Sequence, residues 1–308
     1  LKNNGSNRFT DITQSAAYDL KDAGMLTKAV WTDIDNDQDE DLIVIGEWTA
    51  LQIYLNNDGF LSLQSNSTDH LKGWWSSIYL GDFNHDGQTD ILLGNNGSNC
   101  SYQCDEDSPI KMYINDFDNN GTIEQITTQK FGTKYKPINL KKNITKQLSN
   151  LKKISLKNED YATFGIRDLF DKTLVENTLQ LDYNEQRSLL LINKGNFNFD
   201  IKPLPFLAQI SSINSFELID STSETTSLFF GGNNYSFAPQ FGRLDASKGG
   251  VLEINYDGTM NVLDQQKTGI LVNGVVKHIE KIISADGTPF YLFVRNNEVP
   301  VIYKLNNE

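Results

Sequence analysis

Asp82-Phe83-Asn84-His85-Asp86-Gly87-Gln88-Thr89-Asp90 is the stretch whose reading decides the fold. Oxygen-bearing side chains stand at offsets 0, 2, 4 and 8, and Gly87 follows the third. Apolar runs flank it: Ile78-Tyr79-Leu80 before, Ile91-Leu92-Leu93 after. Alternate residues of a tight loop point at one centre, and an all-oxygen set suits a hard cation such as Ca²⁺. Asp33, Asp35, Asp37 and Asp41 repeat the spacing before Leu42-Ile43-Val44-Ile45, and Asp116, Asp118, Asn120 and Glu124 repeat it after Met112-Tyr113-Ile114. The residue at offset 6 (Asp39, Gln88 or Thr122) is placed to offer its backbone carbonyl.

An EF-hand requires helices on both sides and a bidentate Glu at the twelfth loop position. The twelfth positions here are Val44, Leu93 and Thr127, and the flanks are strand-like. Asp, Asn and Gly also build ordinary acidic turns. Three loops in one register favour about three Ca²⁺ sites between strands.

At 308 residues the chain has room for one large domain or two small ones. The hydrophobic content of 38% suffices for a core. The net charge of −13 argues against nucleic acid and anionic membrane as partners. Much of that charge lies in the three loops, so it reads as metal-site chemistry. No run approaches the roughly 18 apolar residues of a transmembrane helix. The opening Leu1-Lys2-Asn3-Asn4-Gly5 reads as the middle of a repeat, which places any leader or anchor upstream.

A second motif recurs as Ile53-Tyr54-Leu55-Asn56-Asn57-Asp58-Gly59-Phe60, Leu191-Ile192-Asn193-Lys194-Gly195-Asn196-Phe197 and Leu252-Glu253-Ile254-Asn255-Tyr256-Asp257-Gly258-Thr259. Each is a β-hairpin turned by residues that tolerate positive φ. Short strands repeating at this period predict an all-β protein, a β-propeller of four-stranded blades, with 1–308 as a single domain. About five blade units are visible: Lys28 to Ser65, Ser76 to Lys130, Thr178–Pro203, Gln209–Asp264 and Val275–Leu305. They form either a closed five-bladed propeller or part of a seven- or eight-bladed one. No metal is expected at Asp220-Ser221-Thr222-Ser223-Glu224, where offset 8 is Leu228, or at Asp286-Gly287-Thr288.

A segment of about 138–175 breaks the pattern. Ile144, Leu148 and Leu151, then Ile166, Leu169 and Phe170, have helical spacing and predict two short helices inserted between blades. Lys141, Lys142, Lys146, Lys152, Lys153 and Lys157 make the segment basic. That is either a solvated helix face or a docking site for an acidic partner. Cys100 and Cys104 are the only cysteines, and their proximity makes them a disulfide candidate. His70, His85 and His278 show no zinc spacing, and His85 is expected to face solvent. No nucleophile elbow, P-loop or dinucleotide fingerprint occurs, which favours a protein without catalysis. Trp31, Trp48, Trp74 and Trp75 suit packing between blades, with stacking on sugars as the alternative.

Asp33–Asp41 and Asp82–Asp90 resemble the FG-GAP, or VCBS, repeats of integrin α-subunit propellers and of many bacterial surface proteins. The wider chain resembles large bacterial FG-GAP proteins related to cartilage acidic protein. The stretches that carry this are Ala29-Val30-Trp31-Thr32-Asp33, Gly46-Glu47-Trp48, Gly73-Trp74-Trp75, Tyr113-Ile114-Asn115-Asp116-Phe117-Asp118 and Gly242-Arg243-Leu244-Asp245-Ala246-Ser247. Two positions depart from the repeat: Gln38 stands where Gly is usual, and Glu124 where Asp is usual. The resemblance implies a calcium-bearing propeller that is secreted or attached to the bacterial outer membrane. The expected partners are other surface proteins of a nutrient-uptake or secretion complex. A scaffold that binds protein is the first reading. A carbohydrate-active enzyme and a carbohydrate-binding propeller are the alternatives.

Overall fold

The computed structural model describes residues 1–154 and 157–306. The chain forms two compact units, Leu1–Ser101 with Gln186–Glu308, and Tyr102–Glu185.

In the first unit, β1 (Lys2–Asn3) pairs with β2 (Phe9–Thr10), and a short helix α1 (Thr13–Ala16) follows. β3 (Met25–Thr32), β4 (Asp41–Thr49), β5 (Gln52–Asn57) and β6 (Phe60–Gln64) form an antiparallel meander, with β7 (Gly73–Trp74) on the far end of β4. The next sheet starts with β8 (Ser77–Gly81) and β9 (Asp90–Gly94).

The chain then enters the second unit. β10 (Ile110–Asn115), β11 (Glu124–Phe131) and β12 (Lys134–Pro137) are antiparallel. Five short helices follow: α2 (Lys141–Gln147), α3 (Leu151–Ile154), α4 (Asn158–Thr163), α5 (Ile166–Leu169) and α6 (Lys172–Glu176). β13 (Leu179–Tyr183) closes this unit on the free edge of β10.

Back in the first unit, β14 (Leu189–Asn193) pairs with β9, and β15 (Phe199–Pro203) completes that sheet. β16 (Ile213–Ser221), β17 (Thr225–Gly232), β18 (Gly250–Asn255) and β19 (Met260–Val262) form the next meander. Helix α7 (Gln265–Thr268) leads to a three-stranded sheet of β20 (Val276–Ile283), β21 (Pro289–Arg295) and β22 (Val301–Lys304).

The protein is all-β, built of blade-like antiparallel sheets as expected, but the blade boundaries need correcting. The second blade is β8-β9-β14-β15, not a continuous segment from Ser76 to Lys130. Leu179–Tyr183, expected to help form the third blade, pairs with β10 instead. Residues 102–185 have a core of their own, so the reading of 1–308 as one propeller does not describe them. The two expected helices are five, and Ile144, Leu148, Leu151, Ile166, Leu169 and Phe170 all pack in that core with Tyr113, Phe117 and Ile126 of the sheet.

Within the first unit the sheets stack face to face. Ile43 and Ile45 of β4 share one core with Ile91 and Leu93 of β9 and Leu189 and Leu191 of β14. The intervening Leu92, Leu190 and Ile192 point the other way, onto Ile213, Phe216, Leu228 and Phe230. Phe229 and Val251 then meet Ile279, Tyr291 and Phe293 of the last sheet. Successive strand residues face opposite sides, so a strand covered on both faces is apolar throughout. This is why Leu42–Ile45 and Leu189–Ile192 read as unbroken apolar runs.

The tryptophans divide. Trp75 is fully buried between the first two sheets and donates Nε1 to the Thr49 carbonyl at 2.9 Å. Trp48 and Trp74 meet edge to face at 5.3 Å, whereas Trp31 is 54% exposed. Among the described residues no helix is long and apolar enough to cross a membrane.

Candidate metal centres

Each acidic loop connects the first two strands of its hairpin: Asp33–Asp41 between β3 and β4, Asp82–Asp90 between β8 and β9, and Asp116–Glu124 between β10 and β11. The backbones are congruent. Offset 3 is left-handed in all three (Asn36, His85 and Asn119), and so is offset 5 (Gln38, Gly87 and Gly121).

The first carboxylate of each loop folds it. Asp33 accepts from the N–H groups of Asp37 (3.1 Å) and Gln38 (3.0 Å). Asp82 does the same for Asp86 (3.1 Å) and Gly87 (2.9 Å), and Asp116 for Asn120 (3.0 Å) and Gly121 (2.7 Å). The offset-4 side chain accepts from the offset-6 N–H: Asp37 from Asp39 (3.0 Å), Asp86 from Gln88 (2.9 Å), Asn120 from Thr122 (2.7 Å). The offset-6 carbonyl expected to face the centre therefore belongs to a residue whose amide is pinned. These bonds turn the loops into rings with oxygens inside.

The residue at offset 8 closes each ring, accepting from the offset-1 N–H: Asp41 from Ile34 (3.2 Å), Asp90 from Phe83 (2.9 Å), Glu124 from Phe117 (2.9 Å). Asp41 and Asp90 are fully buried, and each gives its second oxygen to a strand amide, Asn56 at 2.9 Å and Asn193 at 2.8 Å. They staple the loop to the third strand of their sheet. Glu124 is one methylene longer, and one of its oxygens joins Asp116 and Asp118 in a group within 4.8 Å of one another. The Glu at this position, where Asp is usual, thus reaches the cluster.

Asp33, Asp35 and Asp37 form the matching group in the first loop. The second loop contributes no such trio, because offset 2 is Asn84, whose amide donates to Asp86 at 2.7 Å. Asp39 Oδ1 and Asp118 Oδ1 are buried with no hydrogen-bond partner. A buried carboxylate oxygen left unpaired is costly, and a cation beside it removes that cost. The charges agree. Burial, then neighbouring Asp37, holds Asp35 above the usual carboxylate range, and burial with Asp37, Asp35 and Asp33 does so for Asp39. Burial pushes Asp90 up to about 6, although the Asn193 and Phe83 amides oppose it. Asp39 was expected to offer only its carbonyl, and its side chain is the oxygen that the sequence reading missed.

The first two loops touch, Asn36 Nδ2 donating to Gln88 Oε1 at 3.4 Å. His85 is exposed, as expected, and its Nε2 lies 3.0 Å from the Thr222 carbonyl, in the turn between β16 and β17. That turn and the one before β21 occupy the same place in their sheets as the acidic loops. Neither contributes a carboxylate trio among the described residues. Cys100 and Cys104 are half-buried, and Cys100 Sγ lies 3.6 Å from the Gly97 carbonyl.

Gln38 carries a testable strain. It holds φ at +80°, where Gly87 and Gly121 hold +83° and +85°. A side chain in this region costs about 1 kcal/mol that glycine does not. Gln38→Gly should therefore raise stability by about 0.5–1 kcal/mol after the entropy of the unfolded chain is counted. The denaturant midpoint in excess Ca²⁺ checks this, and a lowered midpoint contradicts it.

Repeated antiparallel sheets with an acidic, oxygen-lined loop between their first two strands define a blade-repeat class of protein whose loops could hold a metal ion. Residues 33–93, which contain the first two loops and the strands between them, match the FG-GAP-like repeat family. That stretch is where the chain carries an FG-GAP-like repeat. No curated protein matches it.

Proposed function

We propose that the chain is a non-catalytic, calcium-binding propeller protein that docks a macromolecular partner at an extracytoplasmic surface. The observation that carries this reading is the triple recurrence of one loop geometry. Its ligand atoms are locked to the loop backbone, two oxygens are buried and unpartnered, and each ring is closed by its own strand. Such sites stiffen turns. A catalytic metal, by contrast, keeps an open coordination position.

Ca²⁺ is the ion of choice because every donor is oxygen and the rings are small and acidic. In the first loop Asp33, Asp35, Asp37, Asp39 and Asp41 would hold it. In the second the set is Asp82, Asn84, Asp86, Asp90 and the Gln88 carbonyl. In the third it is Asp116, Asp118, Asn120, Glu124 and the Thr122 carbonyl. Weak calcium loops suit a compartment rich in that ion, which supports a secreted or surface-attached protein.

The preferred contact for an acidic partner is the basic insert. Lys142, Lys146 and Lys152 are exposed, Lys141 is half-buried, and the side chain of Lys153 lies outside the described residues. Opposite charges steer association and make it salt-sensitive. A native pull-down should lose its partner when Lys141, Lys142, Lys146, Lys152 and Lys153 are all changed to Glu. Unchanged recovery would remove the insert as the contact. Glycan cleavage by the purified chain, abolished by changing one carboxylate outside the loops, would overturn the non-catalytic reading.

A further inference from the structure

We infer that the inserted unit carries a binding cleft for a carboxylated sugar, separate from the cation loops. The cleft measures about 540 Å³, within the 300–1,000 Å³ range of small-molecule sites. The sheet supplies Lys111, Tyr113, Lys134, Tyr135 and Gln180, and helix α5 supplies Arg167 from the other side. No residue of the Asp116–Glu124 loop lines it.

Three cations converge there in a chain whose net charge is −13. Two are tied to carboxylates: Lys111 to Asp182 at 2.9 Å and Lys134 to Asp168 at 2.8 Å. Asp168 is itself fixed by the Gly165 N–H at 2.7 Å, so Lys134 is held in place. Arg167 differs. It is 68% exposed, and Glu176 reaches it only at 4.0 Å. Its planar fork is therefore available to a carboxylate, which it binds through two parallel hydrogen bonds.

The neutral groups narrow the ligand class. Among the described residues neither the Tyr113 nor the Tyr135 hydroxyl has a hydrogen-bond partner, although burial keeps both phenols protonated and able to donate. Lys111 Nζ sits 5.6 Å from the Tyr135 ring centre, which leaves ring surface and charge side by side. A free phosphate would use the cations and leave most of the cleft and the Tyr135 ring unused. A hexuronate ring offers an apolar face for the half-exposed Tyr135 ring, hydroxyls for the two phenols and Gln180, and a carboxylate for Arg167.

The test is calorimetric titration of the whole chain, in Ca²⁺ buffer, with a galacturonate trimer and with its neutral methyl ester. The acid should bind at least about 10-fold more tightly at low salt, and the gap should narrow as salt screens it. Arg167→Gln should weaken the acid about 10- to 100-fold, the usual range for a charge-assisted hydrogen bond. Tyr113→Phe keeps the packing and should cost about 2- to 10-fold. Lys142→Glu, on the exposed face of α2, should leave binding unchanged, which separates this cleft from docking through the insert's lysines. Equal affinity for acid and ester, no binding of either, or a Glu-rich peptide binding as tightly as the trimer would each overturn the inference.

Discussion

Chelating Ca²⁺ should lower the unfolding temperature by about 5–10 °C, and returning it to millimolar concentration should restore the value. An ion that binds only the native rings stabilises by RT ln(1 + [L]/Kd), about 2.7 kcal/mol per site at 100 times Kd. For a chain this long each kilocalorie moves the midpoint by about 2–4 °C. The effect should also depend on pH, with a defined sign. Burial raises the Asp90 carboxyl from 3.8 to about 6. In the chelated protein the native state thus holds more protons than the unfolded chain between these values. Stability therefore falls as pH rises through that window, by at most about 3 kcal/mol. Asp41 is shifted the same way, again by burial. A bound cation favours the ionised carboxylates and opposes this loss. The gain from Ca²⁺ should accordingly be larger at pH 7.5 than at pH 5. Melting curves with and without chelator at both values decide it. Identical curves, together with metal analysis showing no bound calcium, would end the calcium reading.

Gly94→Ala is expected to cost about 3 kcal/mol, through overpacking at the approach of two blades. Gly94 ends β9, and a Cβ there would stand 2.2 Å from the Ile213 carbonyl and 2.1 Å from Ser77 Oγ. The Ser77 side chain is held against the added methyl, because its Oγ is bonded to that same carbonyl at 2.8 Å. Ser76 Oγ binds it too, at 2.7 Å. The backbone oxygen of β16 cannot retreat without breaking both bonds. Gly195→Ala is the control. Its turn has open space around it and a φ of +78°, so only the left-handed strain of about 1 kcal/mol applies. Equal denaturant midpoints for the two variants would show that the blades do not meet where the structure places them.

The rings were legible because their information is local. Asp82, Asn84, Asp86 and Asp90 lie within nine residues, and the hydrogen bonds that shape the ring run between neighbours in sequence. The same holds for the turns at Asn56–Gly59 and Asn193–Gly195, where an Asn side chain caps the amide of the glycine. The helical spacing of Ile144, Leu148 and Leu151 likewise found the face that the insert buries.

Strand partnership was not legible. An apolar run such as Leu189–Ile192 records that both its faces are covered, not which strand lies beside it, since backbone pairing carries no side-chain signature. β9 takes β14 as its neighbour across 94 intervening residues of sequence numbering, Ile91 opposite Leu191 and Leu93 opposite Leu189. The strands on either side of the insert, β10–β11 and β13, therefore looked like parts of two blades when they belong to one sheet. The side chain of Asp39 was hidden for a related reason: whether an offset-6 carboxylate oxygen ends up buried and unpaired is fixed only by the folded ring. Sequence alone thus determined the acidic rings, their hairpin setting and the all-β class, all products of short-range geometry. Only the tertiary structure decided which strands share a blade, which oxygens are left unpaired, and where Arg167 and the two tyrosines meet, because those depend on contacts between residues far apart in the chain.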